Sequence, residues 1–128
     1  MARSAVVAGA TGLVGGFVLE RLLAHADYVR VVALVRRPLR LSHDRLQTEI
    51  IDFERFASLP GPVDDVFCCL GTTIAKAGSQ AAFRRVDHDH VVALAGAAGQ
   101  AGARRFLMVS ALGADPLSRI FYNRVKGE

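Results

Sequence analysis

A glycine at every third position, Gly9, Gly12 and Gly15, directly follows the apolar run Ala5-Val6-Val7-Ala8. An unbroken apolar run reads as a strand buried on both faces, and Phe17, Val18, Leu19, Leu22 and Leu23 continue beyond the glycines at helical spacing. The glycines therefore occupy the turn between a strand and a helix. A turn stripped of Cβ atoms lets an anion approach the backbone, and the start of the following helix presents unsatisfied N–H groups and a partial positive charge. Together these features imply a dinucleotide site, with the pyrophosphate over the turn Gly9 to Gly15.

The same apolar signal recurs along the chain. Val31-Val35, Val66-Leu70 and Phe106-Val109 join Ala5-Ala8 as strands expected to be buried on both faces, and a weaker strand is expected over Thr48-Asp52. Helical periodicity covers Leu13 to Ala26, Gln80 to Gly99 and a last helix from Pro116. With right-handed crossovers, this order predicts an α/β fold: a doubly wound parallel sheet of strand order 3-2-1-4-5 in one domain spanning residues 1–128. The segments 36–45 and 71–79 leave the carboxyl ends of strands, where such sheets bind ligands, so both are expected near the site. Arg36 and Arg37 stand where an acidic residue would otherwise bind an adenosine ribose 2′-hydroxyl. Two guanidiniums suit a 2′-phosphate instead, which favours NADP(H) over NAD(H).

Several other function classes fit less well. The charge of +4 is spread over scattered arginines rather than gathered in one stripe with aromatics, so it is not read as a nucleic-acid surface. The apolar stretch from Ala5 to Leu19 is interrupted by glycines and is shorter than the roughly 20 residues a membrane span needs. A cytosolic protein without a membrane segment is expected. Cys68 and Cys69, adjacent on a strand, should point to opposite faces as core packing. His88 and His90 face different directions on a helix, and no third ligand is placed by spacing, so no metal site is assigned.

Chemistry concentrates at the other end of the chain. Tyr122 and Lys126 are four residues apart and share one helix face, while Ser110 closes the last strand. An ammonium beside a phenol favours the phenolate and makes it a usable proton shuttle near neutral pH. The serine hydroxyl could hold a substrate oxygen.

In order, the GATGLVG turn, Leu-Val-Arg-Arg-Pro, Cys-Cys-Leu-Gly-Thr-Thr at 68–73, Val86-Asp87, Val109-Ser110-Ala111 and Tyr122-x-x-x-Lys126 resemble the short-chain dehydrogenase/reductase superfamily. Within it the chain is similar to the atypical branch of Tat-interactive-protein-like and NmrA-like members. The resemblance implies a Rossmann fold with NADP(H) held by Gly9, Thr11, Gly12, Leu13 and Val14 at the pyrophosphate and by Arg36 and Arg37 at the adenosine phosphate. It further implies Asp52 and Phe53 near the adenine, and Leu70, Gly71 and Thr72 along the ribose and nicotinamide path. Tyr122 would be the acid/base, Lys126 the residue that lowers its pKa, and Ser110 the hydroxyl that orients the substrate. Family members continue well beyond the Tyr-Lys helix, so this sequence is expected to be the cofactor-binding portion of a longer protein. By itself it is expected to be inactive and, with its last strand uncovered, to self-associate.

Three functions follow from these features. The first is an NADP(H)-dependent oxidoreductase acting on an unidentified carbonyl or alcohol. The others are a non-catalytic NADP(H)-binding regulator with a protein partner, and an epimerase or dehydratase using the same cofactor. The intact Ser110, Tyr122 and Lys126 favour chemistry, since a sensor needs only the cofactor turn.

Overall fold

A computed structural model describes residues 3–36, 38–39, 41–52, 58–59, 62–70, 78–108, 117 and 125. Five parallel strands form one sheet: β1 (Arg3–Ala8), β2 (Tyr28–Val35), β3 (Leu46–Ile50), β4 (Asp65–Cys68) and β5 (Arg105–Met108). Their order is β3-β2-β1-β4-β5, as the strand pattern predicts. Helix α1 (Leu13–Ala24) links β1 to β2, while α2 (Gln80–Arg84), a π-helical turn (Arg85–Asp89) and α3 (His90–Gln100) precede β5. Neighbouring residues on a strand point to opposite faces, and the central strands are apolar at both. On one face Val6, Ala8, Leu34 and Val66 pack with Val91, Leu94 and Ala98 of α3. On the other, Val7, Val31 and Ala33 pack with Leu19, Leu22 and Leu23 of α1.

The structure differs from the expected elements at their borders. β3 starts two residues early and is largely exposed, as an edge strand paired, among the described residues, only with β2 is free to be. β5 was expected to be buried on both faces, yet Leu107 and Met108 are exposed. It lies at the opposite edge, paired only with β4 among the described residues. The long helix before it is interrupted by the π turn, which periodicity does not reveal. Of the last expected helix, Leu117 and Val125 alone are described, and Val125 is helical and buried. Val109 lies outside the described residues.

The segment 36–45 is also corrected. It carries the chain from the carboxyl end of β2 to the amino end of β3, so only its beginning lies near the ligand end of the sheet. At its far end the Arg45 guanidinium donates to the carbonyls of His25 (3.0 Å), Tyr28 (2.8 Å) and Leu23. These groups include carbonyls at the end of α1, which have no helical partner and attract a cation. The helix ends at Ala24 rather than Ala26.

Opposite the ligand end, strand starts are tied by a buried carboxylate. Asp65 is 2% exposed. It accepts from Tyr28 Oη at 2.7 Å and from Arg105 Nε at 2.8 Å, joining β2, β4 and β5. Burial by itself would raise the Asp65 pKa, but the hydrogen bonds from Arg105 and Tyr28 outweigh it and hold the carboxyl below its ordinary value. The same burial, with the neighbouring carboxylate, pushes the Tyr28 phenol up. A lowered carboxylate pKa stabilises the fold above the unfolded value, near pH 4, and that stability is lost as pH falls through the folded value. Asp65→Asn should therefore lower stability by about 1–3 kcal/mol at neutral pH. Urea midpoints measured from neutral pH down to about pH 2 should fall less steeply for the variant than for the wild type.

Candidate functional site

The switch point of the sheet lies between β1 and β4, whose onward connections run to opposite faces. A cleft of about 160 Å³ opens there, lined by Gly9, Thr11 and Gly12 after β1, Leu34, Val35 and Arg36 at the end of β2, Cys69 and Leu70 after β4, and Val86 and His90. This is smaller than the roughly 300–1,000 Å³ of an enclosing small-molecule pocket. It would hold part of a dinucleotide and leave the rest along its open side.

The three glycines meet different surroundings. Gly9 has φ +80°, and a Cβ there would lie 2.5 Å from the Cys69 carbonyl oxygen, so the turn itself excludes a side chain. A Cβ at Gly15 would lie 1.9 Å from the Gly9 carbonyl oxygen, because the first turn of α1 rests on the backbone at the end of β1. Gly12 differs. Among the described residues the only atom near its Cβ position is the Gly9 carbonyl oxygen, at an ordinary 3.5 Å. Its φ of −79° suits any residue. The chain's own packing therefore requires glycine at 9 and 15 but not at 12, where the cleft gives a reason for one.

The electrostatics suit an anion. Gly12 is the N-cap of α1, no side chain caps the helix, and its first turn has no acidic residue. The first N–H groups of a helix carry its partial positive charge. Arg36 adds a full charge to the lining, and among the described residues no aspartate or glutamate is part of it. Burial pushes the Cys69 thiol up, so it remains neutral at physiological pH. The residues present fit the phosphate-bearing part of a dinucleotide.

Of the residues named from the sequence, Gly9, Thr11, Gly12, Arg36 and Leu70 come together on this cleft. Leu13 and Val14 do not line it with side chains: Leu13 is 80% exposed, and Val14 borders a separate apolar groove with Phe17 and Phe67. Gly15 lies beneath the turn as packing rather than in the lining. Asp52 is exposed just beyond β3 and is not part of the lining. Arg37, Phe53, Gly71, Thr72, Ser110, Tyr122 and Lys126 lie outside the described residues. Sequence reasoning missed Cys69, Val86 and His90. Cys68 is buried in the core as expected, but Cys69 follows the end of β4 and borders the cleft. The four-residue spacing of Val86 and His90 was the available signal for the other two.

A family profile described as NAD(P)H-binding matches residues 9–126, nearly the whole chain and the entire turn just described. The chain belongs to the NAD(P)H-binding family. Among curated members similar to this NAD(P)H-binding chain, Protein FMP52, mitochondrial, of Eremothecium gossypii is 40% identical over 128 residues, covering 98% of this chain and 57% of its own length. Protein HTATIP2 of Rattus norvegicus is 36% identical over 132 residues, covering 98% of this chain and 54% of its own. The chain thus spans a little over half the length of these relatives. Among solved structures, MoeE5 in complex with UDP-glucose and NAD superposes with a TM-score of 0.75 at 22% identity, covering 97% of this chain and 45% of that one. Uronate dehydrogenase from Agrobacterium tumefaciens gives 0.72 at 18%, covering 98% and 52%. Both likenesses bear on the fold.

The glycine contacts separate folding from binding in a direct test. Gly12→Val should retain the wild-type circular dichroism and melting temperature while abolishing dinucleotide binding in a fluorescence titration. Gly15→Ala should instead lower stability by about 1–3 kcal/mol, because the helix must lift from the turn to admit a methyl group.

Proposed function

We propose that this chain forms the cofactor-binding part of an NADP(H)-dependent oxidoreductase of the short-chain dehydrogenase/reductase type, acting on a small carbonyl or alcohol substrate. The observation that carries the reading is the cleft with Arg36 at the end of β2 and the uncapped start of α1 at Gly12. NADP(H) is preferred over NAD(H) because a guanidinium offers charge-assisted hydrogen bonds to a 2′-phosphate, whereas a ribose 2′-hydroxyl is held by an acid that the described lining lacks.

When bound, the nicotinamide supplies or accepts the hydride. The chain's own part in the reaction falls to three residues of its last quarter. Ser110 orients the substrate oxygen. Tyr122 gives that oxygen a proton in reduction, or takes one in oxidation, and Lys126, four residues on in the sequence, favours the phenolate form between turnovers. Leu70, on the cleft wall, bounds the path toward the nicotinamide.

The compartment belongs to the same proposal. The sequence reading expects a cytosolic location. Among the described residues no helix is long and apolar enough to cross a membrane. The relatives from Eremothecium gossypii and Coccidioides immitis are named as mitochondrial proteins. Fractionation of source cells discriminates the two: recovery with a cytosolic marker keeps the reading, and recovery with an organelle replaces it.

Titration of the full chain with NADPH and NADH should show tighter NADPH binding, and Arg36→Ala should narrow the difference by about tenfold. Equal affinities in the wild type would overturn the cofactor choice. With a turned-over substrate in hand, Tyr122→Phe should keep NADPH affinity and lose at least about 10²-fold in kcat. NADPH binding with undiminished turnover in that variant would move the proton transfer to another group.

A further inference from the structure

The cleft has a second basic side chain, His90, that neither the glycine turn nor the Tyr-Lys pair accounts for. Its position follows from the fold. α3 returns the chain from β4 to the parallel strand β5, so it runs opposite to the strands and begins at their carboxyl ends. His90 is its first residue, half-buried, just before the core-facing Val91 and Leu94. The preceding turn is π-helical: the His90 N–H donates to the Arg85 carbonyl, five residues back. In so wide a turn a four-residue step falls short of one revolution, and Val86 and His90 stand side by side on the cleft wall. Isolated π turns within helices occur often at functional sites. His88 is directed elsewhere, with its Nδ1 2.9 Å from Asp89 Oδ1.

We infer that His90 is a ligand-contacting residue whose imidazole donates a hydrogen bond to a phosphate oxygen of the bound dinucleotide. The inference rests on the reading of the cleft as the dinucleotide site. An imidazole gains positive charge on the acid side of neutrality, and hydrogen bonds from charged donors to phosphate are roughly twice as strong as neutral ones. Among the described residues the other charged or titratable groups lining the cleft are the Arg36 guanidinium from β2 and the Cys69 thiol after β4. Arginine keeps its charge across this range. The thiol, pushed up by burial, stays neutral. On the π turn itself, the Asp89 carboxylate is engaged with His88.

Fluorescence titration of the full chain with NADPH and NADH at about pH 5.5 and about pH 8.5 tests this. The ratio of wild-type to His90→Gln affinity cancels the titration of the 2′-phosphate, which is common to both proteins. His90→Gln should weaken binding about tenfold at the acid pH and about twofold or less at the alkaline one. His90→Lys, charged at both, should bind about as tightly as the wild type at the acid pH and more tightly than it at the alkaline pH. An equal loss on both dinucleotides locates the contact at the pyrophosphate, and a loss confined to NADPH locates it at the 2′-phosphate. No loss, or the same loss at both pH values, overturns the contact while leaving the cleft reading intact. Absence of dinucleotide binding to the wild type would overturn both.

Discussion

Helix α1 reaches the end of β1 because no Cβ stands at residue 15, and much else in the molecule depends on that contact. With the Gly9 carbonyl oxygen where the Gly15 side chain would be, the first turn of the helix settles onto the strand. Leu19, Leu22 and Leu23 then reach the sheet face formed by Val7, Val31 and Ala33. The same approach directs the start of the helix across the carboxyl ends of β1 and β4. Gly9, held at φ +80° against the Cys69 carbonyl, fixes the turn from the other side. Packing and ligand geometry thus share one piece of backbone.

The two ends of the sheet treat charge in opposite ways. At the amino ends of the strands a carboxylate is buried and satisfied from two sides, and its partners come from different strands. Breaking such an arrangement leaves a polar group uncompensated in the interior, so it fixes which strands lie together. At the carboxyl ends, helix N–H groups and basic side chains converge on a cleft whose lining contains no acid among the described residues. One end satisfies its charges internally, and the other presents positive charge that an anion can satisfy.

Much of this was legible in the sequence, for physical reasons that differ by element. Unbroken apolar runs such as Val31-Val35 can only be strands covered on both faces, which dictates a parallel sheet with helices on each side. The glycine spacing placed the turn. β5 misled because Phe106, Leu107 and Met108 resemble the central strands, and composition does not tell an edge from a centre. Asp65 was illegible because its partners, Tyr28 and Arg105, stand 37 and 40 residues away and come near only through strand register. His90 keeps the four-residue spacing from Val86, but spacing alone does not say which face of a helix meets a cleft. Gly15 was assigned to the ligand by its motif. Within the chain it meets a constraint of its own, the Gly9 carbonyl oxygen standing where its Cβ would be.

The uneven cover of the sheet has a further consequence for motion. β1 and β2 are enclosed by helices on both faces, whereas among the described residues β5 hangs on one neighbour with Leu107 and Met108 exposed. Local opening is least costly where few apolar contacts must be broken, so amide hydrogen exchange should be fastest at β5 and slowest along β1. The tie between Arg105 and Asp65 is then a hinge pin at the foot of the most labile strand. Fraying there would proceed from Met108 downward and stop at the buried carboxylate, leaving the glycine turn two strands away undisturbed.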